Sequence, residues 1–247
     1  MSKSNQIKNR SKSKTMIRVI KWAIFILVLI FIAHQAITWP KVKPLQNTNP
    51  KTTAFIELYK QKEKKAKRNP KIRWQWLPYS QISSKLKLAV LVSEDISFFS
   101  HKGIDLKELK LAIIEAVKEK HLPRGASTIT QQVAKNLWLS PNYNPYRKLK
   151  EIILAMELEY YLPKKRILEL YLNIAEFGPG IYGAESASHY YFQKSASELN
   201  EQESAYLSAI LPKPSQWRPD SKSKAYQNRV ELILQRMQTI TFLEKYI

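Results

Sequence analysis

The chain predicts an all-α domain preceded by one membrane-spanning helix, and three observations carry that fold class. Residues 22–39, WAIFILVLIFIAHQAITW, hold no formal charge. From residue 83 onward apolar side chains recur at spacings of three and four, the helical period, and strand-like alternation is scarce. Only five glycines and no cysteine occur in 247 residues. The chain therefore has few breaks, and it has no material for a disulfide scaffold, a thiolate zinc site, an iron–sulfur cluster or a cysteine nucleophile. Hydrophobic residues make up 44% of the chain, enough to bury the core of one medium domain.

The first element is a basic tail, residues 1–21, with seven positive charges and no acidic residue. It precedes the uncharged run 22–39, whose eighteen residues reach about 27 Å as a helix, close to the roughly 30 Å hydrocarbon layer. Trp22 and Trp39 stand where interfacial aromatics belong. The basic flank puts the N-terminus in the cytoplasm and everything after Trp39 outside. A cleaved signal peptide is disfavoured by the length of the run and by the lack of a clean small-x-small site.

Residues 40–73 read as a juxtamembrane linker. Pro40, Pro44 and Pro50 favour an extended tether. Residues 60–73 then carry eight positive charges and one negative, a run that suits anionic lipid headgroups as well as plain solvent. In all, residues 1–73 hold 18 basic and two acidic side chains, against 23 and 18 in the remainder. The excess thus lies next to the membrane segment, and nucleic acid is not the expected partner.

Residues 74–247 form the predicted domain, with helices at 83–97, 105–120, 127–138, 146–161, 164–176, 183–192, 200–211 and 222–239. On the first of these Glu94 falls four residues after Val90 and eight after Leu86, on the apolar face. Desolvation disfavours the charged form of a carboxyl group, which is how one is brought into the range of a general acid or base near neutral pH. Pairing with a nearby Lys, Arg or His101 is the structural alternative, and Asp95 reads as a local cap or hydrogen-bond partner.

RGASTITQQVAKN, residues 124–136, crowds Ser127, Thr128, Thr130, Gln131 and Gln132 between a glycine turn and Lys135. Such groups suit a sugar or a diphosphate, or simply a capped helix start with Ser127 as N-cap. Along 146–162, Leu149, Ile152, Ile153, Met156 and Tyr160 form one stripe, while Leu154, Ala155 and Leu158 cover the other side, so this helix is expected to be buried on two faces. Arg147 and Glu151 are four apart, as an ion pair or, with Lys148, as the lining of a charged cleft.

GPGIYG at 178–183 matches the dinucleotide fingerprint but follows a helical pattern where that fold needs a strand. Three Ser-x-x-Lys matches, at Ser11, Ser84 and Ser221, lack the accompanying Lys-Thr-Gly. His34, His101, His121 and His189 show no paired metal spacing.

Taken in order, five blocks resemble the biosynthetic peptidoglycan glycosyltransferases of the penicillin-binding protein group, in their monofunctional, membrane-anchored form. They are EDISFFSHKG (94–103), GASTITQQVAKN (125–136), RKLKE (147–151), KKRILELYLN (164–173) and GIYGAESASHYYF (180–192). Ala126 stands where a second glycine is common. The resemblance covers about 74–240 and leaves no room for a transpeptidase domain.

The resemblance implies a lysozyme-like, two-lobed α-helical domain and a reaction. Lipid II and the growing lipid-linked glycan strand are the substrates. The acceptor's 4-hydroxyl attacks the anomeric carbon of the donor strand, inverting it and expelling undecaprenyl diphosphate. Glu94 is then the general base. Glu151 lies on the donor side with Lys135, Arg147 and Lys148, and Ser127, Thr128, Gln131, Gln132 and Asn136 complete the substrate-binding set. Glu169, Tyr171 and Asn173 would support the cleft wall. A divalent cation, Mg or Mn, is expected to arrive with the substrate diphosphate, near Glu94 or Glu151, and no organic cofactor is expected. The place implied is the bacterial plasma (inner) membrane, with cell-wall synthesis or division proteins as candidate partners. The competing readings are a lytic enzyme, which has no use for diphosphate-binding residues, and a non-catalytic cell-wall scaffold, which has no need of two carboxylates and their cations.

Overall fold

The computed structural model describes residues 3–108, 110, 111, 114, 127–142 and 144–247, with side chains from Met16 onward apart from Ile17. The chain divides into two compact units, Met1–Lys41 and Val42–Ile247.

The first unit is a single helix, α1 (Lys3–Ile37), in which Arg18–Ile37 is long and apolar enough to cross a membrane. Its last turn closes on His34, whose carbonyl accepts from Thr38 N at 3.0 Å and Thr38 Oγ1 at 2.7 Å. The helix stops short of the expected Trp39, because Pro40 disfavours helical backbone in the residue before it.

The second unit begins earlier than the sequence suggests, taking in most of the expected linker. Val42 and Leu45 are buried around a short 3₁₀ turn, Lys43–Gln46. Arg166 donates to the carbonyls of Leu45 and Thr48, both at 2.8 Å, and Gln46 Nε2 to that of Tyr161 at 2.7 Å. Helix α2 (Ala54–Lys65) follows, started by Thr53, whose hydroxyl accepts from Ile56 N at 3.1 Å. The basic run is therefore partly the end of this helix, with Arg68 folded back on Glu63 at 2.7 and 2.8 Å.

The further α-helices and strands whose bounds are described are β1 (Arg73–Trp74), α3 (Ser84–Glu94), α4 (Ile129–Trp138), α5 (Pro145–Tyr161), α6 (Lys164–Ile174), β2 (Glu176–Gly178), β3 (Ile181–Tyr182), α7 (Ala184–Phe192), α8 (Glu201–Ile210) and α9 (Lys224–Thr239). The fold class is all-α, as predicted. The predicted helix 105–120 lies, apart from residues 105–108, 110, 111 and 114, outside the described residues.

Two packed groups of helices hold the core. In one, α3 packs against α8 and α9; its residues Leu86 to Val92 are all buried, as suits a helix enclosed on every side. In the other, α4 packs against α5 and α6. Helix α5 departs from expectation. It buries Glu151, Leu154, Ala155 and Leu158, but Leu149, Ile153, Met156 and Tyr160 are exposed, so only one face is covered.

A small sheet, order β1-β3-β2, is the feature that periodicity did not reveal, because its strands are two or three residues long. β1 runs parallel to β3, and β2 and β3 form an antiparallel hairpin through the GPGIYG segment. The expected helix 164–176 accordingly ends at Ile174. Gly180 has φ +75°, and a Cβ there would lie 2.3 Å from the Lys71 carbonyl oxygen, so the glycine serves a close backbone approach rather than a phosphate.

Candidate active site

The turn after α3 fixes the first half of the site. Asp95 ends the helix, and its carboxylate reaches across to the start of α4, accepting from Ile129 N at 2.9 Å. His101 joins it. Gly103 N donates to His101 Nδ1 at 3.1 Å, so Nε2 carries the proton and donates to Asp95 at 3.0 and 3.1 Å. Thr128 Oγ1 donates to the Gly103 carbonyl at 2.6 Å. Gly103 itself has φ +90°, with the Ala155 carbonyl oxygen 3.0 Å from where a Cβ would stand. These contacts lock the loop 95–103 onto the N-terminus of α4.

Glu94 is the last residue of α3, its side chain 12% exposed. Its surroundings are not the apolar ones expected. Oε1 accepts from Arg229 of α9 at 2.7 Å and from Ser93 Oγ at 3.1 Å, and Oε2 accepts from Gln132 Nε2 at 3.0 Å. The ion pair weighed as the structural alternative exists, with Arg229 as its cation and not His101. Glu94 nevertheless lines a cleft of about 450 Å³ with Asp95, Ser127, Thr128 and Arg236.

Helix α4 leads from Glu94 to the second half. Its N-cap is Thr128 rather than Ser127, in a capping box with Gln131: Gln131 N donates to Thr128 Oγ1 at 3.2 Å, and Thr128 N to Gln131 Oε1 at 2.9 Å. Thr128 Oγ1 and Gln131 Oε1 are thus engaged at the helix start. Thr130 is likewise committed, donating to Glu159 at 2.5 Å. Ser127, Gln132 and Lys135 remain as the side chains of this block with a bearing on the two carboxylates, and Asn136 is buried on the same helix.

Glu151, on α5, is almost fully enclosed, its side chain 3% exposed. Arg147 donates to it at 2.6 Å and Lys148 at 2.5 Å, and Lys148 also reaches Ser127 Oγ at 3.0 Å. A buried carboxylate needs such partners. Lys135 adds a third cation. Burial pulls its ammonium below the usual lysine range, with Arg147 and Lys148 acting in the same direction, while Glu151 and Glu94 oppose the shift. It therefore feels both carboxylates. Its Nζ stands 5.8 Å from the centre of the Phe55 ring, and among the described residues it has no hydrogen-bonded acceptor. Three cations around one carboxylate leave a surplus of positive charge, which attracts a multiply charged anion.

The third predicted group holds the segment 76–79 and the Gln132 side chain. Glu169 accepts from Trp76 Nε1 at 3.3 Å and Tyr79 N at 3.1 Å, and pairs with Arg166. Asn173 exchanges hydrogen bonds with the backbone of Leu77 at 2.8 and 2.9 Å. Tyr171 donates to Gln132 Oε1 at 3.1 Å.

Sequence reasoning missed Arg229 and Arg236. The available signal was their spacing of seven on α9, beside the buried stripe Tyr226, Val230, Ile233 and Met237. For a divalent cation the described residues build no site of their own. Among the described residues no three His, Asp or Glu side chains gather, and Glu94 and Glu151 are each occupied by cationic donors.

The model of the family described as Transglycosylase matches residues 61–238, a range that contains both carboxylates and the cations around them. The chain is 41% identical over 192 residues to the biosynthetic peptidoglycan transglycosylase of Thiobacillus denitrificans, covering 78% of this chain and 83% of that one. It is 36% identical over 222 residues to the protein of the same name from Neisseria gonorrhoeae, covering 90% and 95%. It is also 36% identical over 228 residues to that from a Janthinobacterium species, covering 91% and 97%.

Proposed function

The chain belongs to the transglycosylase family, and from that premise we propose that it polymerises lipid II, with Glu94 as general base and the Glu151 cluster as the donor diphosphate site. It is a peptidoglycan glycosyltransferase, an enzyme of glycan polymerisation. The observation that best supports the finer reading is Lys135, a largely enclosed ammonium that feels the charge of both carboxylates and has no hydrogen-bonded acceptor among the described residues.

In this reading the acceptor's 4-hydroxyl gives its proton to Glu94 as its oxygen attacks the anomeric carbon of the growing strand. The bond from that carbon to the diphosphate oxygen breaks, and the carbon inverts. Negative charge then grows on the departing undecaprenyl diphosphate, where Lys135, Arg147 and Lys148 stabilise it. Glu151 keeps Arg147 and Lys148 in place. Ser127 and Gln132 border the sugar between the two halves. A divalent cation would reach this site bound to the diphosphate and not on a protein-built set, and no step depends on it.

Residues 18–37 anchor the enzyme in the bacterial inner membrane, with the basic tail in the cytoplasm and the catalytic domain outside. The polyprenyl substrate never leaves the bilayer, so anchoring raises its effective concentration. The exposed Leu149, Ile153, Met156 and Tyr160 suit contact with that bilayer.

The test is incubation of detergent-solubilised protein with labelled lipid II and a divalent cation, with and without Glu94→Gln, followed by gel separation. A glycan ladder from the wild type alone is expected. Shortening of added preformed glycan would favour a lytic enzyme, and bound but unreacted lipid II a scaffold.

A further inference from the structure

Glu94 is held at three points that differ in what they leave free. Each carboxylate oxygen has two lone pairs. Oε1 takes two donors, Arg229 at 2.7 Å and Ser93 Oγ at 3.1 Å, and Arg229 is itself tied to Ser93 Oγ at 2.8 Å. Among the described residues Oε2 takes one, Gln132 Nε2 at 3.0 Å. One oxygen is saturated and the other has a lone pair to spare.

That asymmetry lasts only while the carboxylate cannot rotate and the Gln132 amide cannot swing away. Gln132 is held from behind. Tyr171, on the buried face of α6 and 1% exposed, donates its hydroxyl to Gln132 Oε1 at 3.1 Å. With Oε1 so engaged, the amide presents its N–H end to Glu94. A reversed amide would set a carbonyl oxygen against the carboxylate. Burial drives the Tyr171 phenol well above its ordinary range, with the Glu94 charge adding to the effect, so the hydroxyl keeps its proton at any working pH. Ile167, Leu168 and Leu170 of the same helix are fully buried as well, so the tyrosine stands on a helix fixed in the close-packed interior.

We propose that Tyr171 is a positioning residue which, through Gln132, fixes the Glu94 carboxylate so that Oε2 is the oxygen that takes the acceptor's proton. This rests on the reading of Glu94 as general base. Tyr171 touches no substrate. Its effect falls on the proton-transfer step and not on binding.

A buried tyrosine hydroxyl needs a partner for structural reasons alone, so the decisive readout is coupling. The experiment measures kcat and KM for the full-length enzyme on lipid II with Tyr171→Phe, Gln132→Ala, the double variant and Glu94→Gln. Tyr171→Phe keeps the ring and its packing. The expected result is a kcat about five- to tenfold lower, the size of one lost hydrogen bond, with KM unchanged. In the Gln132→Ala background the same change should cost nothing further. Wild-type kcat in Tyr171→Phe, or losses that multiply in the double variant, would overturn the positioning role. Glu94→Gln separates the two failures: if it stays active, the general-base reading is lost, and with it this one. If it is inactive beside an unaffected Tyr171→Phe, only the positioning role is lost.

Discussion

The donor-site role proposed for Lys135 sets function against stability at the level of one side chain. Its ammonium is buried, and burial lowers its proton affinity in the folded state relative to the unfolded one. The unfolded chain therefore binds more protons between the two titrations, and this group's contribution to stability rises with pH across that window. Lys135→Met should remove the penalty of the enclosed charge while Arg147 and Lys148 still neutralise Glu151. We expect its thermal midpoint at neutral pH to rise by about 2–4 °C, as about 1 kcal/mol produces in a domain of this size, and binding of a diphosphate-bearing donor to fall at least tenfold. Calorimetry and a lipid II binding assay would check the two halves; a lower midpoint would mean that Lys135 is needed to balance Glu151. Glu94 teaches a different lesson. Its helical register was readable, but Arg229 lies 135 positions away, and local spacing has no access to such a neighbour.

The hairpin β2–β3 carries a pH signature of its own. Glu176 pairs in register with Tyr182, and burial pushes its carboxyl up from 4.5 to about 7, with only Lys62 pulling the other way. The folded state holds this proton more tightly than the unfolded state, so the contribution is present below about pH 4.5 and is lost as pH rises through about 7. Glu176→Gln should accordingly be more stable than the wild type at pH 8 and lose most of that advantage at pH 5. Thermal midpoints at the two pH values would decide it; an advantage independent of pH would point to packing instead. Strands this short leave no alternating pattern, and the segment GPGIYG offered only a dinucleotide fingerprint that its helical context ruled out.

For the molecule as a whole, the compact unit Val42–Ile247 contains all the residues of the site, and its first residues are stitched to α6 through Arg166. A chain of residues 42–247 should therefore unfold cooperatively, with a midpoint within a few degrees of the full-length protein. A chain starting at residue 74, the boundary suggested by composition, should be less stable, since it gives up the burial of Val42, Leu45 and Ile56. Equal midpoints for the two would show that residues 42–73 add nothing to the fold.

The sequence by itself determined the fold class, the apolar segment, the positions of most helices within a few residues, and the five ordered blocks that hold Glu94, Lys135, Arg147 and Glu151. All of these depend on periodicity or on short-range spacing, which a linear chain displays. Tertiary structure alone decided that Thr128 and Gln131 serve the start of α4, that Arg229 pairs with Glu94, that one face of α5 stays exposed, and that residues 42–73 belong to the domain. In each case a polar or apolar side chain had several chemically adequate partners, and only the packing of distant segments selected one.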